Sequence, residues 1–215
     1  MTVVAIDGPA GSGKSTISAA LAERLNLPHV DTGAYYRAAT WIVVRAGVPV
    51  DDAAAMLDAI KAAEITRESG RTCVNGLDIE ADIRGDVVTA AVSSVAGHDI
   101  IRGYLVQLQR RDIPAQGAVV EGRDAGTVVV PGADLKVWLI AAPGERARRR
   151  AAQLGTSDPA AITAHAADIA RRDTSDAAQM RRAEDAVEVD TTGRSITDIV
   201  ADLAARVPAT APPTA

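Results

Sequence analysis

Apolar positions along the chain follow two periods. Short runs rich in Val, Ile and Leu occur at Thr2–Ile6 (TVVAI), Ala118–Glu121 (AVVE), Leu135–Ile140 (LKVWLI) and Ala186–Asp190 (AVEVD). They are too short for helices and read as buried strands of the parallel type. Between them the spacing lengthens. Ile17, Leu21 and Leu25 recur every fourth residue, which predicts a helix over about Lys14–Leu25. A short strand is expected near Leu27–Val30, and helices over Tyr35–Ala46, Val87–Ala96, Asp99–Arg111, Glu145–Leu154, Ala160–Arg172 and Ile196–Val207. The last of these puts Ile196, Ile199, Val200 and Leu203 on one face. Strands alternating with helices predict an α/β fold, a parallel sheet flanked by helices on both faces. The stretch from Lys61 to about Val95 departs from that rhythm. Asn75–Gly76 stands between alternating segments, the pair that supplies positive φ in a tight hairpin. An antiparallel hairpin in a βα chain reads as an inserted subdomain. The tail from Pro208 (PATAPPTA) is expected to be mobile.

Composition narrows the class. The chain has 215 residues with a net charge of −5, which speaks against a general nucleic-acid binder. One cysteine, Cys73, excludes an internal disulfide and a Cys-based zinc site, and His29, His98 and His165 lack metal-ligand spacing. No apolar run approaches the length of a membrane span, so a cytoplasmic protein that does not engage membranes is expected. Basic charge is carried by 20 arginines and three lysines, Lys14, Lys61 and Lys136. A codon preference for arginine is the plain reading of that imbalance, and the scarcity of lysine makes the position of Lys14 conspicuous.

Lys14 sits in Gly8-Pro9-Ala10-Gly11-Ser12-Gly13-Lys14-Ser15-Thr16, a full match to G-x-x-x-x-G-K-[ST]. The motif follows a predicted strand and opens a predicted helix, as a P-loop requires. Its glycines let the backbone turn its N–H groups inward, and the helix N-terminus adds positive potential for a β-phosphate. Lys14 is placed to reach β/γ oxygens, and the Ser15 hydroxyl to ligate Mg²⁺. Asp7, just before the loop, suits a turn or a supporting contact to Mg²⁺. The fold expected is therefore of the P-loop NTPase type, binding Mg-ATP. The guanine-reading N-K-x-D of GTPases does not occur.

Two further loops follow predicted strands, on the sheet edge where α/β proteins bind ligands. Asp31-Thr32-Gly33-Ala34-Tyr35-Tyr36-Arg37 offers Thr32 and Arg37 to an acceptor phosphate, or a helix cap with a solvated arginine. Gly122-Arg123-Asp124-Ala125-Gly126 offers Arg123 to phosphate and Asp124 to an amino group, or a local ion pair in a turn. From Pro143 to Arg182 there are eight arginines and five acids. That stretch suits a solvated helix face, or a lid that brings positive charge over a γ-phosphate and shuts out water.

Together these segments resemble the bacterial cytidylate kinase family over nearly the whole chain. The resemblance rests on IDGPAGSGKST at 6–16, DTGAYYR at 31–37, NGLDIEADIR at 75–84, SSVA at 93–96, EGRDAGTVV at 121–129 and DAVEVDTT at 185–192. It implies transfer of phosphate from Mg-ATP to CMP and dCMP. UMP or shikimate as acceptor, and a non-catalytic nucleotide-binding module, stand as alternatives. It implies a core over 1–60 and 97–207 with a helical lid at about 146–182, a small α+β monophosphate-binding insert over 61–96, and a tail over 208–215. It also implies roles: Ser93, Arg102 and Asp124 read the cytosine, Arg37 and Arg123 hold the acceptor phosphate, Arg172 and Asp176 lie near the sugar, and Arg149 contacts ATP. The substrates are small molecules, with no nucleic-acid or membrane partner, and a monomer is expected. One departure stands out. The family arginine three residues beyond Asp176 is Gln179 here, and about four residues are missing before Ala183. Arg181 or Arg182 takes its place, or the lid closes differently.

Overall fold

The computed structural model describes residues 1–68, 70–177 and 179–208, with Glu68 described in its backbone alone. The tail expected to be mobile lies, from residue 209 on, outside the described residues. In chain order the elements are β1 (Thr2–Asp7), α1 (Lys14–Leu25), β2 (His29–Asp31), α2 (Thr32–Arg45), α3 (Ala53–Lys61), β3 (Ile65–Glu68), β4 (Arg71–Val74), β5 (Leu77–Asp78), a 3₁₀ turn (Asp82–Arg84), α4 (Asp86–Ala96) and α5 (Asp99–Arg111). There follow β6 (Gly117–Glu121), a π-helical turn (Ala125–Val129), β7 (Leu135–Ile140), α6 (Pro143–Gln153), α7 (Pro159–Asp176), β8 (Val187–Asp190) and α8 (Ile196–Arg206).

The chain divides into two compact units. The first joins Met1–Val30 to the segment from Ile113 onward. Its five-stranded sheet has the order β2-β6-β1-β7-β8. β1 pairs in parallel with β6 (Ile6 opposite Glu121) and with β7 (Ile6 opposite Val137), and β7 pairs in parallel with β8. Parallel strands bury both faces, which is why their sequences read as continuous apolar runs. Val4, Ile6, Val119, Val137 and Leu139 form a core with Ile17 and Leu21 of α1 and with Ile199, Val200 and Leu203 of α8. β1 is thus the buried centre of the sheet, and the loop that leaves its carboxyl end is anchored on rigid structure.

The second unit spans Asp31–Asp112. It holds α2 to α5 and a three-stranded sheet in the order β3-β4-β5, antiparallel throughout. Asn75 and Gly76 adopt φ of 50° and 77° at the β4–β5 turn, the left-handed conformation expected of that pair. Asp31 caps α2 by accepting from the Ala34 N–H at 3.1 Å. Helix α3, which the apolar spacing alone left unassigned, is capped by Asp52 and buries Met56 and Ile60.

Candidate active site

The loop between β1 and α1 turns through glycines at positive φ, Gly8 at 150°, Gly11 at 74° and Gly13 at 93°. Gly13 precedes α1 in the left-handed region, and among the described residues no side chain caps the helix. The positive end of the helix dipole at this terminus favours an anion. Gly8 has φ 150°, and a Cβ there would run into the Leu139 carbonyl, so the close passage of the loop over β7 demands glycine. Lys14 folds over the loop and donates from Nζ to the Gly8 and Pro9 carbonyls, both at 2.8 Å.

Carboxylates and a hydroxyl gather where β1 and β6 end. Ser15 Oγ donates to Glu121 Oε1 at 2.8 Å, and His29 Nε2 lies 3.6 Å from Glu121 Oε2. Glu121 is buried, 3% exposed. Its sequence segment was noted, but its contact with Ser15 was not foreseen; the available signal was an acid closing a strand beside the P-loop strand. Asp7 is also buried. Rather than closing a local turn, it accepts from the Ala125 and Gly126 N–H groups at 2.8 and 2.7 Å. Burial pushes its pKa up to about 6, against the pull of those two hydrogen bonds.

Arg123 is brought to the cradle. It donates from Nη1 to the Gly8 carbonyl at 3.3 Å and pairs from Nη2 with Asp176 Oδ2 at 3.1 Å. Asp176 is on α7, which runs one turn beyond the expected end at Arg172. Arg172 lies in the same neighbourhood. Burial lowers its pKa, and the adjacent positive charges of Arg150 and Arg123 lower it further. Asp124 is 5% exposed, and its backbone carbonyl accepts from Thr127 and Val128 as the π-helical turn begins.

The Arg-rich helices meet the loop through partners that sequence alone did not reveal. Arg146 Nη1 donates to the Ala10 carbonyl at 3.0 Å and to Asp173 Oδ2 at 2.5 Å, while Asp173 Oδ1 accepts from the Ala10 N–H at 3.3 Å. Helices α6 and α7 thus hold Ala10 by both its N–H and its carbonyl. Arg149 donates to Thr191 Oγ1 and to the Thr191 carbonyl at 2.9 and 2.7 Å, and to the Ser12 carbonyl at 3.4 Å. Of the two arginines suggested for the place of Gln179, Arg182 is engaged with Glu188 at 2.6 Å and with the Ala186 carbonyl.

In the second unit, Arg37 stands in the second turn of α2 rather than at its start. It is held by the Ile83 carbonyl at 2.9 Å and Thr89 Oγ1 at 3.0 Å, so it is not simply a solvated arginine. Thr32 opens α2 and is buried. Arg102 donates to the Ala96 carbonyl at 3.1 Å with its guanidinium 5.2 Å from the Tyr36 ring centroid. Ser93 is half-buried on α4.

Among known proteins, the family model described as cytidylate kinase matches residues 4–209. A cytidylate kinase of Geobacillus kaustophilus is 42% identical over 206 residues, covering 92% of each chain. One from Nocardia farcinica is 45% identical over 214 residues, covering 94% of this chain and 91% of that protein. A solved structure of an uncharacterized protein from Eubacterium ventriosum aligns with a TM-score of 0.51 at 10% identity, over 94% of this chain and 96% of that one. That likeness bears on the fold alone. With its phosphate cradle in place and a family match along nearly its full length, the chain belongs to the cytidylate kinase family.

Proposed function

We propose that the protein transfers the terminal phosphoryl group of ATP to CMP and dCMP, giving ADP and the corresponding diphosphates. One observation carries this reading. Arg123 reaches the rim of the phosphate cradle at Gly8 while it holds Asp176, so a single guanidinium is shared between the donor loop and the residues suited to an acceptor. An acceptor-phosphate oxygen attacks the γ-phosphorus, the bond to the β–γ bridging oxygen breaks, and ADP departs with that electron pair. The attacking oxygen is already anionic, so no general base is required. Catalysis is then positioning and charge neutralisation.

The loop backbone from Gly8 to Thr16 and the Lys14 ammonium take the ATP phosphates, with Arg149 beside Ser12. Arg37 and Arg123 hold the acceptor phosphate, assisted by Thr32. Ser93, Arg102 and Asp124 present donors and an acceptor to the cytosine edge, and Arg172 and Asp176 address the sugar. Ser15 and Glu121 suit a magnesium ion, since a hydroxyl and a carboxylate 2.8 Å apart are hard oxygens of the kind Mg²⁺ takes beside phosphate oxygens and water. When bound, that ion supplies charge neutralisation on the phosphate oxygens. Residues 61–96 are proposed as the monophosphate-binding insert and 146–182 as the lid. The protein is proposed to work as a cytoplasmic monomer on small molecules, a partner class that the acidic balance favours over nucleic acid.

The test is a coupled assay of ADP release with CMP, dCMP, UMP, AMP, GMP and shikimate. CMP and dCMP are expected to give the highest kcat/KM. ATP consumption no faster with CMP than without it would overturn the proposal.

A further inference from the structure

Asp7 closes β1 immediately before Gly8 and is 4% exposed. Both of its oxygens are used on successive backbone N–H groups, Oδ1 with Ala125 at 2.8 Å and Oδ2 with Gly126 at 2.7 Å. Those amides directly follow Arg123 and Asp124. One carboxylate therefore ties the strand end that leads into the phosphate cradle to the segment proposed to address the acceptor. The fit is close. A Cβ at Gly126 would stand 3.3 Å from Asp7 Oδ2, 3.3 Å from Lys136 Cδ and 3.4 Å from Ala5 Cβ.

The chemistry singles out an ionised carboxylate. Two oxygens that only accept can satisfy two neighbouring N–H donors, whereas an asparagine would turn its own NH₂ toward one of them. The anion is held at a cost, since burial disfavours it and Asp124 repels it, while Lys14 attracts it. Lys136 also borders the site from β7, with its ammonium paired to Asp185 at 2.9 Å. A plain strand-to-loop connection has no need of a buried negative charge behind a cradle for a polyanion.

We propose that Asp7 is a positioning residue of the transfer: by gripping Ala125 and Gly126 it fixes Arg123 and Asp124 in register with the ATP loop. This role rests on the assignment of Arg123 and Asp124 to the acceptor. Asp7→Asn is expected to lower kcat/KM for CMP by about a hundredfold, the usual penalty for a small misplacement of a reacting partner. The dissociation constant for Mg-ATP, read by calorimetry, should change by less than about threefold. Asp7→Glu keeps two accepting oxygens and should recover part of the loss.

Protonation of Asp7 turns one acceptor into a donor, so the wild-type advantage should also depend on pH. CMP's own phosphate titrates near pH 6, so the readout is the ratio of wild-type to D7N kcat/KM at each pH. That ratio should rise through about pH 6 and level off above it. Gly126→Ala, which presses a methyl on the same oxygen, provides the same kinetic readout if D7N fails to fold. Equal losses in ATP affinity and in CMP kcat/KM, or a ratio flat from about pH 5 to pH 8, would overturn the assignment. Wild-type turnover with CMP is measured first. Its absence sinks the kinase reading itself, whereas normal wild-type turnover with unaltered D7N and G126A sinks only the role of Asp7.

Discussion

Lys14 is one of three lysines against 20 arginines, and it is the one whose ammonium is bound by loop carbonyls, Gly8 and Pro9 at 2.8 Å. A compact, mobile point charge can leave two carbonyls for phosphate oxygens, whereas a planar guanidinium does not fit so tight a loop. Lys14→Ala is therefore expected to reduce kcat by roughly 10²–10³, the range for losing one preorganised charge at a transition state. Lys14→Arg should not restore it. Steady-state kinetics with ATP and CMP varied in turn decide this; near-normal kcat in K14A would remove Lys14 from catalysis. Asp7 adds a prediction about stability with the opposite sign to most carboxylates. Its folded pKa is about 6 against an ordinary value of 3.8, so the folded chain binds more protons than the unfolded chain between those values. Stability contributed by this group is greatest below about pH 4 and falls as pH rises through 6. About two pKa units correspond to about 3 kcal/mol. Denaturant unfolding of wild type and D7N, compared at pH 4 to 7, should show wild type losing up to about that much relative to the variant as pH increases. A constant difference across that range would contradict the shift.

Helices α6 and α7 together clasp one residue of the phosphate loop, Ala10. Arg146 takes the Ala10 carbonyl, Asp173 takes the Ala10 N–H, and the two side chains pair with each other. Asp173 thereby places a carboxylate on one of the amides of the cradle, where a phosphate oxygen would compete for it. Removing that charge while leaving Arg146 in place should favour the phosphate. Asp173→Asn is expected to tighten ATP binding by on the order of fivefold, about 1 kcal/mol, in direct binding measurements. A similar loss of affinity would mean instead that Asp173 is needed to shape the loop. None of this latch is local in sequence, which explains what could and could not be read before the fold was known. The glycine loop was legible because its conformation is set by Gly8, Gly11 and Gly13 themselves. β1 and β6 were legible because strands buried on both faces leave continuous apolar runs, and β7 because Leu135, Val137 and Leu139 form a buried face. The role of Asp7 was not, because its partners lie more than a hundred positions along the chain. The same distance in sequence hid the contact of Ser15 with Glu121. Helix α3 escaped because its alanines carry no clear apolar stripe, and its burial rests on Met56 and Ile60.

At the scale of the molecule, the cradle belongs to the unit built on the five-stranded sheet, and the three-stranded sheet belongs to the other. A ligand that binds only folded protein stabilises it by RT ln(1 + [L]/Kd), about 2.7 kcal/mol at a hundredfold excess over Kd. For a chain of this length each kcal/mol moves the melting temperature by roughly 2–4 °C. Saturating Mg-ATP should therefore raise Tm by about 5–10 °C in scanning calorimetry. If the trace resolves two transitions, the shift belongs to that of the P-loop unit. The same addition to Lys14→Ala should give a much smaller shift, because the ammonium that engages the β/γ oxygens is gone while the fold around β1 is intact. This comparison reads binding without turnover, so it separates loss of nucleotide from loss of chemistry. An equal shift in both proteins would place Lys14 outside the ATP contacts and leave the loop amides as the principal anchor.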